Sequence, residues 1–205
     1  MGVLDGKVAI VTGSARGIGR ATAELLSEQG ASVLINDLDG DVAEQTASEI
    51  SGETAVYAGD RTAEGACDAL VQTAIDAWGK IDIIVNNAGY TIDAPIHKMS
   101  DDAYQRMLDI HTIVPFRIIR AAAPHLREPA KQEREAGVEV FRKIVNVSSI
   151  SGTMGNAGQA NYSAGKNAVV VLTKTLAKEW GQFKIHVNAV AFGDIWTRLT
   201  APKQA

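Results

Sequence analysis

Close to its N-terminus the chain runs from an apolar segment straight into a glycine-rich turn and then into an amphipathic segment. Residues 7–12 are apolar without alternation, which is typical of a strand buried on both faces. From residue 17 to residue 29 apolar side chains recur at helical spacing, and Gly30 stands where a left-handed cap would end a helix. A strand that must be covered on both faces limits the chain to folds with helices on both sides of a sheet.

The same alternation of short apolar segments and amphipathic segments continues along the chain. It predicts strands over residues 7–12, 32–36, 54–58, 81–85, 143–147 and 185–190. It predicts helices over residues 17–29, 41–50, 63–78, 102–126 and 161–180, with Pro115 inside the fourth helix. Because right-handed crossovers lay helices on both faces of parallel strands, we expect an α/β fold. This is a Rossmann-type doubly wound parallel sheet in three α/β/α layers, forming a single domain over residues 1–205.

Residues 127–142 depart from this rhythm. They contain Pro129, Gly137 and a series of alternating charges. Such a charge run is typical of a solvated surface, so we expect a charged surface insertion, either a hydrated loop or a short helix. A segment that docks a partner is the alternative.

Composition and charge exclude several classes of protein. The 20 basic and 24 acidic side chains give a net charge of −4, which argues against a nucleic-acid partner because phosphate binding needs concentrated Lys and Arg. Cys67 is the single cysteine, so we expect neither a disulfide within the chain nor a thiolate-held metal. No apolar run reaches the roughly 18 residues of a membrane span. We therefore expect a cytoplasmic protein without a metal site, a membrane span or a nucleic-acid partner.

The glycine-rich turn, Thr12-Gly-Ser-Ala-Arg-Gly-Ile-Gly19, lies between the first strand and the first helix. Backbone amides and the positive end of the helix converge there on any bound anion, and glycine lets a phosphate approach the backbone closely. The turn therefore predicts a binding site for the phosphates of a cofactor. A simple tight turn is the alternative, since the first gap is longer than in the common G-x-G-x-x-G pattern.

Acidic residues end the second and third strands. Asp37 lies 18 residues beyond Gly19, close to the offset at which a carboxylate binds the adenosine ribose hydroxyls. Its charge repels a 2′-phosphate and so favours NAD over NADP, although Arg16 could accommodate that phosphate and NADP is not excluded. Asp37 could instead cap the next helix. Asp60 and Arg61 follow the third strand and would contact adenine, or form a structural salt bridge.

Two further motifs end the fourth and fifth strands. Asn86-Asn-Ala-Gly89 suits a site where a flat ligand passes close to the sheet, with an ordinary turn as the alternative. Ser149 ends the fifth strand, and Tyr162 and Lys166 lie one helical turn apart on the next helix. A lysine ammonium favours the phenolate, so we expect Lys166 to lower the pKa of Tyr162 and let it exchange protons with a carbinol or carbonyl oxygen. A serine hydroxyl would hold that oxygen for hydride transfer.

These motifs, taken in order, resemble the classical short-chain dehydrogenase/reductase family over essentially all 205 residues. Thr12–Gly19 is similar to its T-G-x-x-x-G-I-G loop, Asn86–Gly89 to its N-N-A-G, and Tyr162–Lys166 to its Y-x-x-x-K, with Ser149 as the matching serine. The resemblance implies that Tyr162 is the acid/base, that Lys166 tunes it and holds the nicotinamide ribose, and that Ser149 orients the substrate. The cofactor-binding residues it implies are Gly13, Ser14, Arg16, Gly17, Ile18, Gly19, Asp37, Asp60, Arg61, Asn87, Ala88, Gly89, Tyr162, Lys166, Ile195 and Thr197.

The chain departs from the family in three places. His111 aligns with the asparagine that completes the proton relay, and it either replaces that asparagine or is a buried histidine without a catalytic role. Phe192-Gly193 stands in place of the family's proline-glycine. Family members usually continue beyond Thr197 into a substrate lid, a helix and a seventh strand, which are absent from this sequence; either further residues exist or the product is truncated.

The resemblance is closest to 3-oxoacyl carrier-protein reductase-like and hydroxysteroid-dehydrogenase-like members. It implies an NAD(P)-dependent oxidoreductase, with NAD preferred, that interconverts a small-molecule secondary alcohol and a ketone. A 3-oxoacyl, steroid-like or other carbonyl substrate fits this expectation, and the resemblance also implies a homodimer or homotetramer. A nucleotide-binding scaffold or sensor without turnover is the alternative.

Overall fold

All six strands belong to one parallel sheet in the order β3-β2-β1-β4-β5-β6. The computed structural model describes residues 2–197. The strands are β1 (Val8–Thr12), β2 (Ser32–Asp37), β3 (Thr54–Ala58), β4 (Ile83–Asn86), β5 (Arg142–Ser149) and β6 (Ile185–Phe192). The predicted doubly wound parallel sheet is therefore confirmed.

Helices cover both faces of this sheet. They are α1 (Gly17–Glu28), α2 (Gly40–Glu49), α3 (Ala66–Trp78), α4 (Asp101–Leu108), α5 (Val114–Glu135), α6 (Ile150–Met154) and α7 (Ala160–Trp180). One core joins α3, α5 and α7 to the sheet through the buried side chains Ile10, Leu34, Ile84 and Ile144. The other joins α1 and α2 to the sheet through Ala9, Val11, Val33 and Ile35. In β1, β2 and β4 neighbouring residues face opposite cores, so both kinds of position are buried and apolar without alternation, whereas burial alternates along β5 and β6.

The predicted helix over residues 102–126 is two helices joined by a π-helical turn, Asp109–Ile113. Such turns widen a helix locally and are frequent at functional sites. Sequence periodicity did not show the turn because the apolar stripe continues through it, with Ile110 and Val114 both buried.

Residues 127–142 are not one separate unit: residues 127–135 continue helix α5, residues 136–141 form a largely exposed loop, and Arg142 begins β5. Helix α5 continues through Pro124 and Pro129 to Glu135, because Leu126 and Ala130 extend its buried stripe. Most charges of this segment lie on the exposed face of that helix, and Glu139 lies in the exposed connection that follows it. At its far end Arg142 is a buried β5 residue that pairs with Glu133 through two hydrogen bonds of 2.6 and 2.8 Å.

The chain passes from β1 outward through β2 and β3, and then returns to start the other half of the sheet at β4. This reversal opens a crevice between the carboxyl ends of β1 and β4, where open α/β sheets bind ligands. The glycine-rich turn follows β1, Asn87 follows β4, and Ser149 ends β5 beside them. The fold thus brings the predicted motifs to one edge of the sheet.

Candidate active site

A cleft of about 670 Å³ lies at this edge of the sheet. The predicted site residues that line it are Gly13, Arg16, Gly17, Ile18, Gly19, Asp37, Asp60, Arg61, Asn87, Ala88, Gly89, His111, Ser149, Tyr162, Lys166, Ile195 and Thr197. The structure does not bring Ser14 to the cleft. Its hydroxyl is fully buried, where it donates to the Val11 carbonyl at 2.7 Å and accepts from the Asn36 amide at 2.9 Å, so it holds the turn instead.

The glycine-rich turn packs against the segment after β4 too closely for side chains. A Cβ on Gly13, whose φ is +64°, would lie 2.8 Å from the Cα of Ala88. A Cβ on Gly19 would lie 2.1 Å from the Gly13 carbonyl oxygen. The N-cap residue Arg16 provides no side-chain cap for α1, and Gly17, Ile18 and Gly19 of its first turn line the cleft at the positive end of the helix dipole. This cradle of backbone fits the phosphates of a dinucleotide.

Asn87 and Thr12 hold the two loops together. The Asn87 side-chain amide donates to the carbonyl oxygens of Thr12 at 2.9 Å and Gly13 at 3.1 Å. In return, the Thr12 hydroxyl accepts from the backbone amides of Asn87 at 3.0 Å and Ala88 at 3.1 Å. These four bonds make the floor of the cleft rigid, and they explain the polar amide at position 87.

The other end of the cleft is lined by charged residues from β2 and β3. The Asp37 carboxylate accepts from the backbone amides of Ala15 at 3.2 Å and Leu38 at 2.8 Å. The Arg16 guanidinium forms a salt bridge of 2.8 Å with Asp39, two residues beyond Asp37. A carboxylate is thus fixed at this end of the cleft, while the nearby cation is engaged by another acid.

Asp60 and Arg61 differ in their surroundings although they are adjacent. Thr62 donates two hydrogen bonds to Asp60, at 2.8 and 2.7 Å, and these hold the pKa of that carboxyl below its usual value. The Arg61 guanidinium is buried and donates to the side chain of Asn36 at 2.7 Å. Burial lowers the pKa of Arg61, although the charges of Asp37 and Asp60 oppose this.

Tyr162 and Lys166 project into the middle of the cleft from α7. The Lys166 ammonium is buried, donates to the Val147 carbonyl at 2.7 Å and lies 5.7 Å from the centre of the Tyr162 ring. Burial lowers the pKa of Lys166 to about 8. Ser149, at the end of β5, lies close enough to the Tyr162 phenol for its hydroxyl to favour the phenolate and so lower the phenol's pKa. An acid, a hydroxyl donor and a cation therefore share one cleft.

The expected lowering of the Tyr162 pKa by Lys166 is wrong for this arrangement. Burial raises the pKa of Tyr162, because desolvation penalises the phenolate more than the nearby Ser149 hydroxyl favours it. The Lys166 charge lies over the ring face and is already engaged by the Val147 carbonyl. Spacing along the helix predicted the closeness of the two groups correctly, but it carried no information on burial.

His111 lies behind Tyr162 in the π-helical turn. Its ring is 2% exposed and meets the Tyr162 ring edge-on, with 4.9 Å between the ring centres. The Nε2 atom lies 2.8 Å from the Tyr90 carbonyl oxygen, and since a carbonyl only accepts, Nε2 carries the proton. Burial, aided by the charge of Lys166, lowers the pKa of His111 to about 3. The imidazole is therefore neutral near pH 7. Its Nδ1 atom is buried and has no hydrogen-bond partner among residues 2–197.

A profile of the family described as short chain dehydrogenase matches residues 7–205. The chain belongs to this family. The crystal structure of a short chain dehydrogenase from Mycobacterium avium matches 100% of this chain and 73% of its own, with a TM-score of 0.87 and 34% sequence identity.

Two curated relatives of this short chain dehydrogenase carry names that describe a reaction. A 3-oxoacyl-[acyl-carrier-protein] reductase of Vibrio harveyi is 41% identical over 198 residues, covering 96% of this chain and 77% of the relative. A hydroxyacyl-CoA dehydrogenase of Mycobacterium tuberculosis is 37% identical over 195 residues, covering 91% of this chain and 61% of the relative. The chain spans only 21% of a larger, multifunctional relative. Within residues 2–197, none of the helices of this short chain dehydrogenase is long and apolar enough to cross a membrane.

Sequence reasoning missed several residues that line the cleft of this short chain dehydrogenase, among them Tyr90 and Arg106. Tyr90 directly follows the Asn-Asn-Ala-Gly motif, so its position could have been found from that motif. Arg106 lies on α4 with its guanidinium 5.8 Å from the centre of the Tyr90 ring. No local pattern marks Arg106, because on the sequence it is one charge among several on an amphipathic helix.

Proposed function

We propose that the chain interconverts a secondary alcohol and a ketone with NAD(P), using Ser149, Tyr162 and Lys166. The carrying observation is that these three side chains meet in the cleft onto which the glycine cradle opens. A binding protein without turnover would need the cradle, but it would have no use for a buried phenol beside a buried ammonium. The arrangement therefore favours an enzyme over a nucleotide-binding scaffold or sensor.

The cradle and the two ends of the cleft support a dinucleotide as the cofactor, which when bound supplies or accepts the hydride at its nicotinamide. Gly13, Gly17 and the first amides of α1 would hold its phosphates. Asn87–Gly89 forms the floor on which the nicotinamide half would lie, next to Ile195 and Thr197. Asp37 lies where it would accept hydrogen bonds from the adenosine ribose, and Asp60 and Arg61 would border the adenine.

Tyr162 would exchange a proton with the substrate oxygen, while Ser149 donates a hydrogen bond to the same atom. Because the phenol is buried and its pKa is raised, it suits the role of a proton donor to a developing alkoxide. Lys166, with a pKa of about 8, remains mostly protonated at neutral pH, and its ammonium would hold the nicotinamide ribose. His111 is neutral, so it would act through hydrogen bonds without carrying charge. It would hold the ring of Tyr162 in place and form part of a path for the proton.

We infer NAD as the preferred cofactor. A 2′-phosphate would meet the Asp37 carboxylate, which two backbone amides hold in place. Arg16, the cation that could accept the phosphate, is paired with Asp39. NADP would have to overcome one fixed negative charge and release one engaged positive charge.

We infer a 3-oxoacyl or 3-hydroxyacyl thioester as the substrate class, with a steroid-like ketone as the rival. Both named relatives act, by their names, on acyl groups carried as 3-oxoacyl-carrier-protein or hydroxyacyl-CoA. We also propose that the chain forms a single domain, that it acts in the cytoplasm and that it assembles as a homodimer or homotetramer. The exposed Phe116 on α5 and Val171 on α7, at 42% and 55%, support pairing through these two helices.

Purified protein should be mixed with NADH and acetoacetyl-CoA, and in parallel with an NADPH series and a panel of ketones, while the absorbance of the reduced nicotinamide is followed. We expect turnover with the thioester and a loss of about 10²-fold or more in Tyr162→Phe, which removes the proton without removing the ring. Tyr104→Phe is the matched control, because that phenol lies on α4 and is 38% exposed. Full turnover by Tyr162→Phe would contradict the proposed mechanism, and tight NADH binding without turnover would favour the scaffold.

A further inference from the structure

Asn161, the residue before Tyr162, is fully buried and joins three parts of the fold. Its amide nitrogen donates to the carbonyl oxygens of Ile92 at 2.9 Å and Ala103 at 3.0 Å. Its side-chain oxygen accepts from the backbone amide of Tyr162 at 2.8 Å. One side chain therefore connects the loop after β4, helix α4 and the first turn of α7.

Two outer contacts strengthen the same connection. The Ala94 amide donates to the Gly158 carbonyl at 2.8 Å, and the Gln159 side chain donates to Asp93 at 3.0 Å. Together with the bonds of Asn161 they form a junction between residues 92–94 and residues 158–161. The junction ends at the residue before Tyr162. The charge of its Asp93 also acts on the phenol, because it contributes to raising the pKa of Tyr162.

The start of α7 depends on this junction. The N-cap residue Gln159 provides no side-chain cap, so Asn161 supplies the side-chain acceptor for an amide of the first turn. One turn later, Gly165 allows the helix to lie against α4, since a Cβ there would be only 3.0 Å from the Met107 carbonyl oxygen. Tyr162 is thus held from both sides by residues that face away from the cleft.

We propose that Asn161 is a positioning residue for Tyr162, acting through the junction of residues 92–94 with residues 158–161. This inference rests on the proposed function, in which Tyr162 must meet the substrate oxygen. Without the amide, the partly buried Ile92 carbonyl and the Ala103 carbonyl lose the donor that joins them to α7, and the Tyr162 amide loses its acceptor. The first turn of α7 then loosens and the phenol leaves its productive position, whereas the cofactor cradle on the other half of the sheet is untouched.

The sheet supplies a control of the same residue type. Asn146 on β5 is also fully buried, accepts from Asn86 at 2.8 Å and donates to Thr173 at 2.9 Å. Replacing it by alanine also breaks buried hydrogen bonds, but none of them belongs to the junction. A role of Asn161 in stability alone predicts the same kinetic result for both alanine variants, once both are assayed at a temperature where they are folded.

The test compares Asn161→Ala, Asn146→Ala and Tyr162→Phe, using NADH and acetoacetyl-CoA. We expect Asn161→Ala to lower kcat by about 10- to 100-fold, because misplacement of a catalytic group by about 1 Å is that costly, with an unchanged KM for NADH. Asn146→Ala should leave kcat within about threefold of the parent. Normal kcat in Asn161→Ala beside an inactive Tyr162→Phe would overturn the positioning role and leave the proposed function standing, whereas an active Tyr162→Phe would overturn the function itself.

Gln159→Ala keeps the inference testable if Asn161→Ala does not fold. Gln159 is half-buried and its bond to Asp93 is exposed, so its truncation removes that bond without opening the core. A drop of several-fold in kcat with unchanged KM for NADH and an unchanged unfolding temperature would support the junction. An unchanged kcat, with Asn161→Ala unfolded, would overturn it and leave Asn161 with a purely structural role.

Discussion

Replacing His111 by asparagine should remove a large part of the acid sensitivity of this protein. In the folded chain the pKa of His111 is lowered to about 3 from the ordinary value of 6.5, because the ring is buried and lies near Lys166. In the unfolded chain His111 therefore binds a proton below about pH 6.5, whereas in the folded chain it binds one only below about pH 3. The free energy of unfolding must then fall as the pH drops through this window.

The size of the effect follows from the two pKa values. Each pH unit below 6.5 lowers the free energy of unfolding by about 1.4 kcal/mol. At about pH 5 the contribution of His111 has therefore lowered it by roughly 2 kcal/mol relative to pH 7. At pH 7 and above, both states are largely neutral at this position and the contribution disappears. The sign is fixed by which state binds the proton more tightly, and here it is the unfolded state.

Urea unfolding at about pH 7, 6 and 5 measures this directly, because the difference between parent and variant cancels the other titrating groups. Between about pH 7 and pH 5 we expect the free energy of unfolding of the parent to fall by about 2 kcal/mol more than that of His111→Asn. His97→Asn is the control, because His97 lies on the exposed turn before α4. This variant should show the same pH dependence of the free energy of unfolding as the parent. Parallel pH dependences of the parent and His111→Asn would refute the reasoning that the folded protein keeps this imidazole neutral.

Two further changes test the cofactor half of the cleft. Asp37→Ala should raise the ratio of kcat/KM for NADPH to that for NADH by about tenfold or more, equivalent to roughly 1.4 kcal/mol, because it removes the charge that opposes a 2′-phosphate. The exposed Asp41→Ala is its control, and an unchanged ratio in Asp37→Ala would show that another residue discriminates. Gly19→Ala should weaken NADH binding by about tenfold or more in calorimetry, since the new Cβ would lie 2.1 Å from a carbonyl oxygen of the turn. Gly181→Ala, where a Cβ meets nothing within 4 Å, should bind NADH like the parent, and equal affinities in both variants would contradict the packing argument.

Most of the fold and the membership of the cleft could be predicted from the sequence. Apolar segments without alternation marked the strands, because burial on both faces leaves no position for a polar residue. Parallel strands end at a common edge, so motifs found at successive strand ends, such as Gly13, Asn87 and Ser149, had to meet there. The spacing of Tyr162 and Lys166 likewise placed both on one face of a helix.

Tertiary structure alone decided how these groups behave once they meet. The direction of the Tyr162 pKa depends on desolvation, and the sequence pattern contains no measure of how deeply a phenol is buried. Residues 127–135 remain helical because Leu126 and Ala130 find a core to pack against, although their neighbours read as a solvated insertion. The Ser14 hydroxyl accepts from the Asn36 amide, and the Asn161 side-chain amide donates to the carbonyls of Ile92 and Ala103. These bonds join segments far apart in the chain. Local sequence determines most of the helices and strands, but contacts between distant segments determine where some of them end and, for each site residue, its charge, its partners and hence its chemistry.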